Sequence, residues 1–194
     1  IIKSYATDNH NYMLQLVFSG ARYCFFLLYF LSVPFLLQAE TILNIWLGVL
    51  PDYSATFCRL VIIDSLIISL SGTLMTAFQA TGRIKSYQMV VGGLILCNLP
   101  LSYLFLSLGY NAQVTMWISI IVSLVALFVR VFLLSRVFPG VLAKFKGLFY
   151  KVITVFGFSL SLANMIPAMY ENIIINFVVS CILHWLVIVL FILT

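Results

Sequence analysis

Between Lys85 and Arg130 the chain carries no charged side chain, and that feature limits what it can fold into. About 20 apolar residues cross the roughly 30 Å of hydrocarbon in a bilayer, so the uncharged stretch is long enough for two crossings. It is broken at Gly109-Tyr110-Asn111-Ala112-Gln113, which makes it a tight hairpin of transmembrane helices. The rest of the sequence agrees. Hydrophobic residues make up 64% and charged residues 8%, against about 25% charged in an ordinary soluble domain, and the mean hydropathy is +1.19. The expected class is an all-α integral membrane protein with about six transmembrane helices.

Taken in order, residues 1–15 are polar and tyrosine-rich and read as a cytoplasmic interfacial segment. A first span covers 16–38, with Arg22 near its start and Pro34 expected to kink its far end. Residues 39–53 read as an amphipathic helix in the exterior interface, anchored by Trp46 and stopped by Pro51. The second span, 54–81, meets Gly82, which can adopt a left-handed helix-ending conformation, with Arg83 and Lys85 just beyond it. Spans at 87–108 and 114–137 form the hairpin. A basic loop at 139–151 holds Lys144, Lys146 and Lys151, and two further spans at 152–170 and 173–194 flank a turn at Glu171-Asn172.

Ten Lys and Arg against five Asp and Glu give a formal charge of +5. Most of the cations fall before the first span, after the second, or at and beyond the end of the fourth, so the positive-inside rule puts those connections and both ends in the cytoplasm. The same rule accounts for the charge without nucleic acid as a partner. The chain begins at Ile1 without Met and ends at Thr194 inside an apolar run, which is expected of a piece of a longer protein. Cys24, Cys58, Cys97 and Cys181 lie in apolar runs without metal-ligand spacing and read as small buried hydrophobes.

Chemistry concentrates in the second span. Ser65, Ser69, Gly72, Thr76 and Gln79 recur at helical steps as a polar, small-residue stripe flanked by Asp64 and Ser71. Such a stripe serves close helix packing or lines a water-filled path. Asp64 is the sharpest residue, because an ionised carboxylate in hydrocarbon costs several kcal/mol, about 2.5–3.5 on insertion scales, and has to face protein, water or a cation. Arg59, five positions away, is poorly placed to pair with it, leaving a partner on another helix or a protonated carboxyl. Asp64 therefore reads either as a structural pair or as an ion-coupling group. Arg22 and Arg130, near expected cytoplasmic ends, either snorkel to headgroups or point into a cavity and contact a substrate phosphate. His184 reads as a buried, hydrogen-bonded residue, and Pro34, Pro100 and Pro167 as kinks or hinges. With no HExxH, GxSxG or phosphate-loop motif, and one deep acidic residue, no catalytic, cofactor or metal site is expected and the chain does not read as an enzyme.

Three stretches, Lys3-Ser4-Tyr5-Ala6, Ile42-Leu43-Asn44-Ile45-Trp46-Leu47-Gly48 with Pro51-Asp52-Tyr53, and above all Gln79-Ala80-Thr81-Gly82-Arg83-Ile84-Lys85-Ser86-Tyr87-Gln88, resemble bacterial polysaccharide exporters of the O-antigen flippase type. That family shares a superfamily with the multidrug and toxin extrusion transporters. The resemblance extends to about Arg136 and is compositional beyond it. It implies a two-lobe transporter of the multidrug-and-toxin-extrusion type in the bacterial inner membrane. This chain would supply the C-terminal lobe without its first two helices, plus two extra C-terminal helices. The implied function is alternating-access transport of a lipid-linked oligosaccharide, with membrane lipids and the absent N-terminal lobe as partners and a coupling cation, H+ or Na+, left open. Asp64, Ser65, Ser69, Thr76 and Gln79 would be cavity or ion-coupling residues. The alternatives are a cation-coupled drug exporter and a non-transporting membrane scaffold.

Overall fold

A computed structural model describes residues 1–82, 84–165 and 173–193, with side chains outside 86, 159–165, 173–177 and 190–193. Among them the chain is helical without a strand: α1 (Ile2–Ala6), α2 (His10–Leu47), α3 (Ser54–Ala80), α4 (Ile84–Leu96), α5 (Asn98–Ser107), α6 (Val114–Ser135), α7 (Val141–Met165) and α8 (Ile173–Leu193). Among the described residues four stretches are long and apolar enough to cross a membrane: His10–Leu47, Ser54–Ala80, Tyr87–Ser107 and Val114–Ser135. They are the first four expected spans. Of the other two, α8 holds the apolar stretch Val178–Val189 among the residues whose side chains are described. Tyr170, Glu171, Asn172 and Pro167, like Arg83 earlier in the chain, lie outside the described residues.

One boundary falls where the sequence placed it and two differ, each for a local reason. The first span and the amphipathic helix meet within α2 at a kink at Gln38 (φ −131°, ψ 47°), the boundary expected between 38 and 39. Pro34 has no N–H to donate to the carbonyl of Phe30, one turn earlier, which weakens the helix there. Trp185 of α8 serves that carbonyl instead, its Nε1 donating to Phe30 O at 2.9 Å while the indole stacks on the Phe30 ring at 4.9 Å. The far end of α2 stops at Gly48 rather than Pro51: Gly48 takes φ +72° and its N–H donates to Asn44 O at 2.9 Å, a conformation that glycine adopts at low cost. Finally, the basic loop expected at 139–151 is mostly helix. Gly140, at φ +87°, follows Pro139 and turns the chain, and α7 begins at Val141, so Lys144, Lys146 and Lys151 are helical residues.

A proline also explains the break in the third span. Pro100 cannot donate to Leu96 O, and the chain turns at Cys97, between α4 and α5. Its N–H is shared between Gly93 O at 3.1 Å and Leu94 O at 3.2 Å.

The direction of the helices follows from their contacts. An added Cβ on Gly20, early in α2, would lie 3.0 Å from Thr73 Cγ2, late in α3, while Glu40 and Arg59 form an ion pair at 3.5 Å at the other end. Hence α2 and α3 are antiparallel and closely packed. Asp64 of α3 meets Ser119 of α6, and Tyr87, just after α3 ends, meets Arg130 late in α6, so α3 and α6 run the same way. Tyr5 and His10 pack on Phe138, joining the N-terminus to the α6–α7 connection. One end of the bundle therefore gathers Lys3, Lys85, Arg136, Lys144 and Lys146.

The core lies between α2, α3, α6, α7 and α8, around Met13, Phe26, Leu74, Leu127, Leu134, Val155 and Ile188. With lipid as apolar as leucine, these helices are held by close packing and a few polar ties more than by expulsion of water. The Trp185 bond to Phe30 O is one of the ties, joining α8 to α2, while His184 beside it is buried with Nδ1 2.6 Å from Ser180 O of its own helix. The cysteines divide. Cys181 is buried, but Cys24 and Cys97 are exposed on their helices, because an apolar run in a membrane helix marks the lipid side as readily as the core.

Candidate functional site

Asp64 lies ten residues into the 27-residue α3, about 15 Å from the start of a helix about 40 Å long, so it sits well inside the span. It opens onto a cavity of about 200 Å³ between α3, the α4–α5 break and α6. Ser119, Ser123, Ala126 and Arg130 of α6 line it at steps of three and four residues, one face of a helix. From the break between α4 and α5 comes Asn98, whose Oδ1 accepts from Ser102 Oγ at 3.2 Å. Proline-induced breakage thus places an amide at the cavity wall.

Ser119 Oγ donates to Asp64 Oδ2 at 3.2 Å. Asp64 Oδ1 is buried with no hydrogen-bond partner. A carboxylate oxygen left in that condition inside a protein costs at least 1–3 kcal/mol, about what an unmade buried hydrogen bond costs, unless water or a cation serves it. The cavity is polar enough for that: a hydroxyl pair, an amide and the carboxylate converge on a volume that several waters, at about 30 Å³ each, would fill.

The other end of the cavity belongs to Arg130. Its Nε donates to Tyr87 OH at 2.9 Å, and the Tyr87 ring stacks on Phe78 at 4.4 Å. Phe78 is in the last turn of α3 and Tyr87 in the first turn of α4, so the stack closes the corner at Gly82, which takes φ +71° as the sequence requires. Eleven residues, about 16 Å of helix rise, separate Arg130 from Ser119. The guanidinium and the carboxylate are therefore opposite poles of one cavity.

The other sequence-derived candidates go elsewhere. Ser65 Oγ donates to Val61 O at 2.8 Å, Ser69 Oγ to Leu66 O at 2.7 Å and Thr76 Oγ1 to Gly72 O at 3.2 Å, so the stripe satisfies itself along its own helix. Gln79 is exposed. Ser71 is buried without a hydrogen-bond partner for its hydroxyl. Arg22 is far from this cavity. It lies on α2 beside Lys144 and Lys151 of α7, in a separate cleft of about 220 Å³, with its Nη2 donating to Tyr23 OH at 3.2 Å.

Asn98, Ser119, Ser123 and Tyr87 were not singled out by sequence, although one signal was readable. Ser119, Ser123 and Arg130 share a face of an otherwise apolar helix, and that spacing points to a partner across the interface. No family model, curated protein or solved structure matches the chain. The class its fold defines is a protein that is all-helical over the described residues, with four stretches there long and apolar enough to cross a membrane.

Proposed function

We propose that the chain is part of a membrane transporter that carries a lipid-linked oligosaccharide across the bacterial inner membrane by alternating access, with the cation-rich end of the bundle in the cytoplasm. The observation that carries this reading is the cavity joining Asp64, half-served by Ser119, to Arg130 inside apolar helices. Ionisable groups at such depth mark ion or substrate paths more often than they serve packing. The resemblance of the Gln79 to Gln88 stretch to polysaccharide exporters supplies the substrate class.

The physics of the substrate fits a polar lining. Each oligosaccharide hydroxyl stripped of water without a partner costs about 2–7 kcal/mol, which a cavity of hydroxyls, amide and charge lowers. Rocking of two lobes around such a cavity is the expected motion. Deleting the gene should leave lipid-linked oligosaccharide on the inner leaflet, measured by leaflet-selective labelling. Normal display of the sugar on the outer leaflet would defeat the proposal.

A second reading, a cation-coupled drug exporter, draws support from a separate cavity of about 280 Å³. Apolar side chains line it throughout, among them Phe25, Phe149 and Phe156, as suits a hydrophobic aromatic ligand. Drug hypersensitivity with unchanged surface sugar in the same deletion strain would favour it.

A further inference from the structure

We propose that the cleft between α2 and α7 binds a phosphate group, and that its source is the headgroup of an anionic membrane lipid. Independently of the transport reading, Arg22 of α2 and Lys144 and Lys151 of α7 converge there, joined by the polar side chains of Gln15 and Ser19, and none of the side chains lining the cleft is acidic. Three cations lining one cleft give it a positive potential that draws in an anion.

Two features point to a ligand rather than to a solvated basic surface. Arg22 Nε is buried with no hydrogen-bond partner, although a guanidinium is suited to bidentate contact with phosphate oxygens. Among the described residues the ammonium of Lys144 makes a single long contact, 3.5 Å from Nζ to Asn11 O. The cleft holds about 220 Å³, enough for a phosphate and several waters at about 30 Å³ each.

Its position suits a lipid more than a soluble anion. One turn beyond Arg22 and just beyond Lys151 the two helices turn apolar, with Leu27, Ile153 and Phe158 exposed and Tyr23 and Tyr150 exposed beside the cations. Tyrosine at that boundary is characteristic of headgroup depth. A phosphate held here leaves its acyl chains against an apolar helix surface.

The test uses the full-length protein in detergent and in nanodiscs, with phosphatidylglycerol, phosphatidylcholine and inorganic phosphate as separate probes, read by native mass spectrometry and thermal shift. Phosphatidylglycerol should be retained over phosphatidylcholine. Arg22→Gln and Lys144→Gln should each weaken retention about fivefold, while Lys146→Gln, an exposed lysine outside the cleft on the same helix, should not. Binding of inorganic phosphate at the same residues without lipid preference would keep the phosphate site but overturn the lipid source. Equal retention of the two lipids by the wild-type protein, with no phosphate binding, would overturn the whole proposal without relying on any variant. So would an equal effect of Lys146→Gln, since that is the signature of diffuse charge.

Discussion

The two polar cavities are nearly equal in volume, about 200 and 220 Å³, and opposite in composition. Between α3 and α6 a carboxylate is half-served by a serine, with an arginine at the far pole. Between α2 and α7 three cations meet without an acid. Depth explains the contrast. At the middle of a span every partner has to come from protein or trapped water, so charge is rationed and tied. At the end of a bundle, water and headgroups serve the cations, and the protein need only gather them. Polar groups of the first kind should carry function and some stability, and those of the second kind neither fold nor unfold the protein.

The largest expected effect is on transport. Asp64→Asn keeps the shape and the hydrogen bond from Ser119 while removing the charge, so uptake or flipping should fall at least about tenfold, as expected when a charged group loses roughly 1.4 kcal/mol or more of differential interaction. Thermal unfolding in detergent should not fall, since an amide is cheaper to bury than a carboxylate. Unchanged transport with a lowered midpoint would reverse the assignment and make Asp64 a structural group.

Next in size is the Arg130 pole. Arg130→Gln removes a hydrogen bond involving a charged donor, worth about 1.5–3 kcal/mol, and leaves the buried Tyr87 hydroxyl unserved. Tyr87→Phe should cost less, because it keeps the stack on Phe78. The two should be non-additive in a double-mutant cycle, with coupling of at least about 0.5 kcal/mol. Additive losses would mean that the 2.9 Å contact contributes nothing and that Arg130 acts only by snorkelling.

What the sequence made legible follows from the same physics. Apolar length located the first four spans, and Gly82 and Pro34 marked a corner and a weak point because backbone chemistry acts locally. Partners were not legible. By composition α3 and the Tyr87–Ser107 stretch are both spans, yet the apolar part of one is far more buried in the protein than that of the other, since lipid and core are equally apolar and hydropathy cannot tell them apart. The stripe at Ser65, Ser69 and Thr76 left close packing and a lined path both open, and its hydroxyls bond back to their own helix. Lys144 and Lys151 signalled a loop by charge alone, whereas lysine is a good helix former and Gly140 had already provided the turn.

A smaller effect tests how much the protein itself supplies to Asp64. Ser119→Ala removes the hydroxyl that donates to Oδ2, and hydrogen bonds between membrane helices average about 0.6 kcal/mol. The unfolding midpoint should drop slightly while transport persists, because water in the cavity can take the place of the hydroxyl. A loss as large as that of Asp64→Asn would mean that the cavity is dry and that Ser119 sets the function of the acid.

The smallest effect is expected at the cationic cleft. Lys144→Gln should leave stability within about 0.5 kcal/mol of wild type, as the ammonium is exposed and its contact with Asn11 is long. If the gathered cations repel one another, the substitution should stabilise the protein slightly at low salt, and the gain should vanish near 1 M salt, where the screening length is about 3 Å. Detergent melting curves at two salt concentrations measure this directly. A clear, salt-independent destabilisation would show that Lys144 holds α7 to α2 through Asn11, and the contrast between a tied interior charge and a gathered surface charge would then fail at this residue.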